Sequence, residues 1–269
     1  MPGPGRGGPG VEAMTERIIE SLDNPRAKLW AALLESRGLR KHRRFLLAGR
    51  KTVREALAQH PDRFESLLLP PGAGAGAEDL PAPPGLERIR LGRALFDRLD
   101  VSGTGLPILV GVVPEMAAID LARPPEGLEL VCALGDPSNL GALLRSAAAF
   151  AVSRVILLAD AAHPFHPKCL RAASNAQFSL ELRRGPAWTG LAQAAGPLLA
   201  LDGQGEDLAG FAWPRDLRLV LGEEGLGLPP GLAVQRLAIP TSGAVESLNA
   251  TVAASLALYG HYLAMRTKD

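Results

Sequence analysis

Two successive alternations of helix-like and strand-like periodicity, separated by a Pro124-Pro125 break, predict an α/β protein built as two layered units. Size and composition agree. The chain has 269 residues, enough for one large domain or two ordinary ones without a disulfide framework. Apolar residues make up 47% and charged residues 21%, which excludes wholesale disorder. In the second unit helical stretches join the strands, so its sheet should be mainly parallel.

Residues 1–14, opening Met1-Pro2-Gly3-Pro4-Gly5, read as a flexible tail with no signal-peptide core. Residues 15–114 form the first predicted unit. Glu16 to Leu34 suits helix through Ile18, Ile19, Leu22, Leu29, Leu33 and Leu34. It is interrupted at Asn24-Pro25, where Asn24 should cap a second helix. Phe45 to Gly49 reads as a buried strand, Arg50 to Gln59 as a helix, and Ser66 to Leu69 as a strand. Pro70 to Gly85 is a loop. Ile89, Ala94 to Phe96, and Ile108 to Val113 give strand, helix, strand.

Residues 115–127 read as a linker, and residues 128–269 as the second unit. Strands are expected at Leu128 to Leu134, Val155 to Leu158, Leu198 to Leu201, Leu217 to Leu221 and Leu237 to Ile239. Helices are expected at Asn139 to Phe150, His166 to Ser174, Trp188 to Ala195 and Ser247 to Met265. The last carries an apolar stripe of Leu248, Val252, Leu256, Tyr259 and Leu263 at steps of three and four.

Several classes of function fall away. Two cysteines, Cys132 and Cys169, exclude a disulfide scaffold and a Cys-rich zinc site, and fit a reducing cytoplasm. The five histidines show no metal-ligand spacing. No apolar run is long enough to span a membrane. The net charge of +1 hides a split: 17 basic against 13 acidic residues before residue 115, and 12 against 15 from there on. The basic excess concentrates in Ser36 to Arg54, where Arg37, Arg40, Lys41, Arg43, Arg44, Arg50, Lys51 and Arg54 occur with no acidic residue. That is a candidate phosphate-binding footprint, or else a solvated helix face.

Three loops of the second unit are rich in Gly, Pro and small polar residues. Asp136 to Arg145 joins a strand to a helix, and Gly141 one turn before Arg145 would leave the arginine over a bare face. A capped helix start with a surface arginine explains the segment equally well. Leu219 to Gly231 places glycines at 222, 225 and 227, which permits close backbone approach to a ligand or simply makes a turn. It is neither a P-loop nor a dinucleotide fingerprint. Ile239 to Asn249 leads into the last helix, with Ser247 as a candidate cap and Asn249 in the first turn.

In order, Asn139-x-Gly141-x-x-x-Arg145, Leu221-Gly222-x-Glu224-Gly225-x-Gly227 and Ile239-Pro240-x-x-Gly243-x-x-x-Ser247-Leu248-Asn249 resemble the three signature motifs of the SpoU (TrmH) branch of the SPOUT RNA methyltransferases. In the first unit, Ser21-Leu22-x-Asn24-Pro25-x-x-Lys28, Phe45-Leu46-Leu47-x-Gly49 and Val53-x-Glu55-Ala56 look like the L30e-like substrate-binding domain that precedes many of these enzymes. The resemblance implies a trefoil-knot catalytic domain, a homodimer, and transfer of the methyl of S-adenosyl-L-methionine to a ribose 2′-hydroxyl. It implies 23S rRNA as substrate and needs no metal.

By the same resemblance Leu201, Gly222, Ile239 and Leu248 bind the donor. Arg145, Asn139, Glu224, Ser247 and Asn249 form the catalytic set. Apart from the resemblance, Lys168 and Arg171 in the second unit are candidate RNA contacts near the target. An arginine is effectively always protonated, so Arg145 is expected to act as a cationic clamp on phosphate and developing alkoxide rather than as a base. Alternatives are a tRNA 2′-O-methyltransferase, a drug-resistance methylase, a non-catalytic RNA-binding or ribosome-assembly protein, and a generic nucleotide-dependent enzyme.

Overall fold

The computed structural model describes residues 17–72, 80–222 and 227–267. The first unit contains β1 (Arg17–Ile19), α1 (Pro25–Ala32), α2 (Ser36–His42), β2 (Arg44–Leu47), α3 (Arg50–Gln59), β3 (Phe64–Leu69), β4 (Glu87–Leu91), α4 (Arg93–Leu99) and β5 (Ile108–Val112). Its sheet runs β1-β4-β3-β5-β2, with β1, β4 and β3 parallel and β5 antiparallel to both its neighbours. Asn24 caps α1 as expected, its side-chain oxygen accepting from the Arg26 backbone N–H at 2.9 Å.

The start of the unit differs from expectation. Arg17–Ile19 is an edge strand on β4, not a helix. Ile19 is buried and Ile18 exposed, as neighbours on opposite faces of a strand are.

The second unit contains β6 (Leu128–Cys132), α5 (Pro137–Ala149), β7 (Arg154–Leu157), α6 (Pro167–Ala173), β8 (Leu182–Arg184), β9 (Leu198–Asp207), β10 (Leu217–Leu221), β11 (Gln235–Ala238) and α7 (Ala250–Arg266). Its sheet runs β11-β9-β10-β6-β7-β8, and every pairing is parallel. Three elements depart from the sequence reading. Trp188–Gln193 is a 3-10 turn, β8 went unanticipated, and β9 runs six residues past Leu201.

The helix α7 also starts later than expected. Its cap is Asn249, not Ser247: the Asn249 side-chain oxygen accepts from Thr251 N at 2.9 Å and Val252 N at 3.2 Å. An asparagine oxygen reaches these two free N–H groups where the chain turns into the helix.

The units pack on each other. Phe45 of β2 lies 5.1 Å from Phe165 and 6.0 Å from Phe178, centroid to centroid. The Asn175 side-chain amide donates to Thr52 O at 3.0 Å. Segment 113–127 is tied down as well. Arg184 N donates to Ala117 O and Ile119 N to Arg184 O, both at 2.9 Å.

His163 sits in the loop before α6, 6% exposed, with Nδ1 accepting from Phe165 N at 3.2 Å. Burial, helped by the nearby Arg40 charge, holds its pKa down to about 4. The unfolded chain takes up a proton at ~6.5 that the native state refuses until about 4. Stability from this group is therefore complete above pH ~6.5 and is lost as pH falls toward about 4, by on the order of 3 kcal/mol. His163→Gln should lose less thermal stability than wild type between pH ~7.5 and ~4.5. Equal losses in parallel melts would refute this.

Candidate functional site

In a parallel sheet the loops leaving the strands' carboxyl ends gather at one edge, where ligands bind. Here a cavity of about 770 Å³ opens at the ends of β9, β10 and β11, closed by the start of α7 and the first turn of α5. α5 begins with Asp136 as cap, its Oδ1 accepting from Ser138 N and Asn139 N, both at 2.8 Å, and with Pro137 in the first turn. This leaves Asn139 facing the cavity rather than capping the helix. Thr251 Oγ1 donates to Asn139 O at 3.1 Å and ties the third segment to the first.

Seven predicted residues line this one cavity: Asn139, Leu201, Gly222, Ile239, Ser247, Leu248 and Asn249. Gly222 is required by a close approach. A Cβ there would sit 2.5 Å from the Gly227 backbone carbon, so Gly227 lies directly against Gly222. Glu224 lies outside the described residues.

Arg145 is not among the lining residues. It is exposed on α5 and has no hydrogen bond or ion pair to another described residue. The bare face expected beneath it is absent. Gly141 is covered by α6, and a Cβ on it would come within 2.4 Å of the Cys169 carbonyl oxygen. Gly141 therefore sets the α5–α6 distance rather than clearing space for the arginine.

Of the candidate RNA contacts, Arg37, Arg40, Lys41, Arg43, Arg50, Lys51, Arg54, Lys168 and Arg171 are exposed. Arg44 is the exception. It lies on β2 and forks onto Glu65, through Nε at 2.7 Å and Nη2 at 2.8 Å, so its charge is already matched. Cys132 and Cys169 are both buried, and burial pushes both thiols up, away from the reactive thiolate form. Among the described residues no group of His, Cys, Asp and Glu could hold a metal ion.

Sequence reasoning missed Asp202, Gly203, Thr241 and Glu246, which also line the cavity. For Asp202 and Gly203 the available signal was the Asp202-Gly203-Gln204-Gly205 run directly after Leu201, a turn-forming composition at the end of the expected strand.

Residues 130–259 match the model of the SpoU rRNA Methylase family. A protein from Syntrophobacter fumaroxidans, named ribosomal RNA small subunit methyltransferase G 2, is 40% identical over 248 residues. The match takes in 90% of this chain and 48% of that protein, so the chain spans about half its length. The 23S rRNA (uridine(2479)-2′-O)-methyltransferase of Streptomyces viridochromogenes is 30% identical over 256 residues, 88% of each chain. The crystal structure of the SpoU methyltransferase AviRb from the same organism, in complex with the cofactor AdoMet, superposes with a TM-score of 0.72 at 26% identity. It covers 91% of this chain and all of that one. Full-length similarity at this level, with the motif residues gathered around one cavity, makes the chain a member of the SpoU rRNA methylase family.

Proposed function

We propose that this chain transfers a methyl group from S-adenosylmethionine to a ribose 2′-hydroxyl of 23S rRNA. The observation that carries the reading is the convergence of Asn139, Leu201, Gly222, Ile239, Ser247, Leu248 and Asn249, from separate segments, on a single cavity. The large subunit is preferred over the small one because the 23S enzyme aligns along nearly its whole length. The relative named for the small subunit leaves half of itself unmatched.

The residues present fit the donor. Leu201, Leu221, Ile239 and Leu248 supply apolar walls for an adenosine, and the close approach of Gly227 to Gly222 presents backbone rather than side chain. Bound there, the donor would supply a methyl group activated by a sulfonium. The chain's own contribution is to position the hydroxyl and exclude water. Asn139 and Ser247 offer hydrogen bonds at the cavity edge, and Glu224 would orient the ribose. Arg145 would grip a phosphate and stabilise the developing alkoxide as a cation. The first unit, read as L30e-like, presents its basic helices α2 and α3 to the RNA. Residues 128–269 are taken to form the trefoil knot.

A homodimer has a ready face. Val252, Leu256, Tyr259 and Leu263 on α7 are each 42% to 48% exposed, an apolar stripe that the described residues leave half open, with Tyr259 resting on Phe150. α5, which carries Arg145, packs along α7 and joins it through Ser146 Oγ and Ser255 Oγ at 2.8 Å. A copy docked on the stripe therefore also meets the helix of Arg145. Leu256→Glu is expected to halve the mass measured by light scattering while donor binding persists. A wild-type chain that already measures as a monomer would refute the dimer.

The substrate is tested by mapping 2′-O-methylation across total RNA from cells with and without the chain. A modification that disappears from 23S rRNA is expected. Loss from tRNA alone would overturn the substrate, and no change anywhere would favour a non-catalytic RNA-binding role.

A further inference from the structure

The strand β9 stays in register with β10 only from Leu198 to Leu201. Against β11 its register jumps: Arg236 faces Ala200, but Leu237 faces Glu206, so residues 201–205 are pushed out of the ladder. Gly205 lets the bulge close, since a Cβ there would lie 2.4 Å from the Arg236 backbone carbon. The bulge places Asp202 in the cavity wall beside Leu201.

The Asp202 carboxylate is held from two sides. Oδ1 accepts from Gln204 N at 3.0 Å, and Oδ2 accepts from Arg236 Nη1 at 2.7 Å. An ionised carboxylate has about four acceptor positions, so these bonds fix it without saturating it. Asp202 and Glu246 are the charged residues among the described lining, and both are acidic. Such a wall fits a cation. The proposed donor carries two positive centres, a sulfonium and an α-ammonium. Only the ammonium has N–H donors for the open positions on Asp202. Arg236, bound to Asp202, holds that carboxylate fixed in direction.

We infer that Asp202 receives the α-ammonium of the methyl donor and that Arg236 is the positioning residue holding the carboxylate for it. The inference rests on the reading of this cavity as the donor site.

Calorimetric titration with three probes separates the possibilities: S-adenosylmethionine, S-adenosylhomocysteine, which keeps the ammonium without the sulfonium, and 5′-methylthioadenosine, which has neither. Asp202→Asn should weaken the first two by a similar factor, about 10- to 100-fold, and leave the third unchanged. Loss of S-adenosylmethionine binding alone would point to the sulfonium and overturn the assignment. Equal loss of all three, or of none, would overturn it too. Should Asp202→Asn fail to fold, Arg236→Gln carries the same test, with a smaller loss of the same pattern expected. Failure of the wild-type chain to bind any of the three would overturn the donor site itself.

Discussion

Arg145→Ala is expected to lower methyl transfer by about 100- to 1,000-fold while leaving donor affinity and melting temperature unchanged. The magnitude is that of removing one cationic or hydrogen-bonding stabiliser from a developing oxyanion, roughly 3–4 kcal/mol. Its separation from stability follows from exposure. Arg145 pairs with no other described residue, and a surface substitution of that kind costs within about 0.5 kcal/mol. Its separation from donor binding follows from position. Asn139, in the first turn of α5, lines the cavity. Arg145 lies six residues on, roughly 9 Å along the helix axis and about 120° around it.

On the proposed reading an arginine so placed would act on RNA rather than on a donor inside the cavity. Arg145→Lys keeps the charge but loses the fork that matches a phosphate, so it should retain measurable turnover with weaker RNA binding. Single-turnover rates and RNA titrations on both variants test this. Normal RNA binding with no turnover in Arg145→Lys would reject the clamp and favour a role in proton removal.

The helix α3 was legible to the residue because Gly49 precedes it and Val53, Ala56 and Leu57 fall on one face. The edge strand Arg17–Ile19 was not. Three residues are too few to show a period, and its strand character comes from pairing with Ile89–Leu91, some 70 positions away. At the site, motif spacing named residues that converge on the cavity, although nothing local says that Leu201 and Leu248 share a wall. Asp202 stayed hidden because the bulge that exposes it is a register shift between β9 and β11, a property of the pair rather than of either strand. The α7 stripe holds from Val252 to Leu263, while Leu248 falls before the helix in the cavity wall, and periodicity does not say what lies against it. The buried face of that helix is instead Thr251, Ala254, Ala257, Leu258 and His261.

The largest stability loss is expected from Arg218→Met. Arg218 and Glu129 are register partners on β10 and β6, 1% and 0% exposed, the one charge in each of two otherwise apolar strands. Arg218 Nε donates to Glu129 Oε2 at 2.7 Å. Its other nitrogens reach Ala195 O at 2.8 Å and Arg123 O at 2.7 Å, so one side chain joins the sheet to segment 113–127 and to the turn before β9. Glu129 is shared with Arg154, which also binds Glu181 at 3.0 Å. Removing Arg218 leaves backbone carbonyls without their donor and takes one counter-charge from a buried carboxylate, a loss of about 3–5 kcal/mol. For a chain of this size that is a fall in melting temperature on the order of 10 °C. Glu129→Met combined with Arg218→Met should be less damaging than the two single losses added, because no charge is then left buried alone. Calorimetric melts of the three variants decide the matter, and a fall below about 2 °C for Arg218→Met would reject it. The ion pair lies near the start of β10, whereas the cavity lies beyond its far end at Gly222. Below its own melting temperature Arg218→Met should therefore still bind the methyl donor, which separates the scaffold from the chemistry it carries.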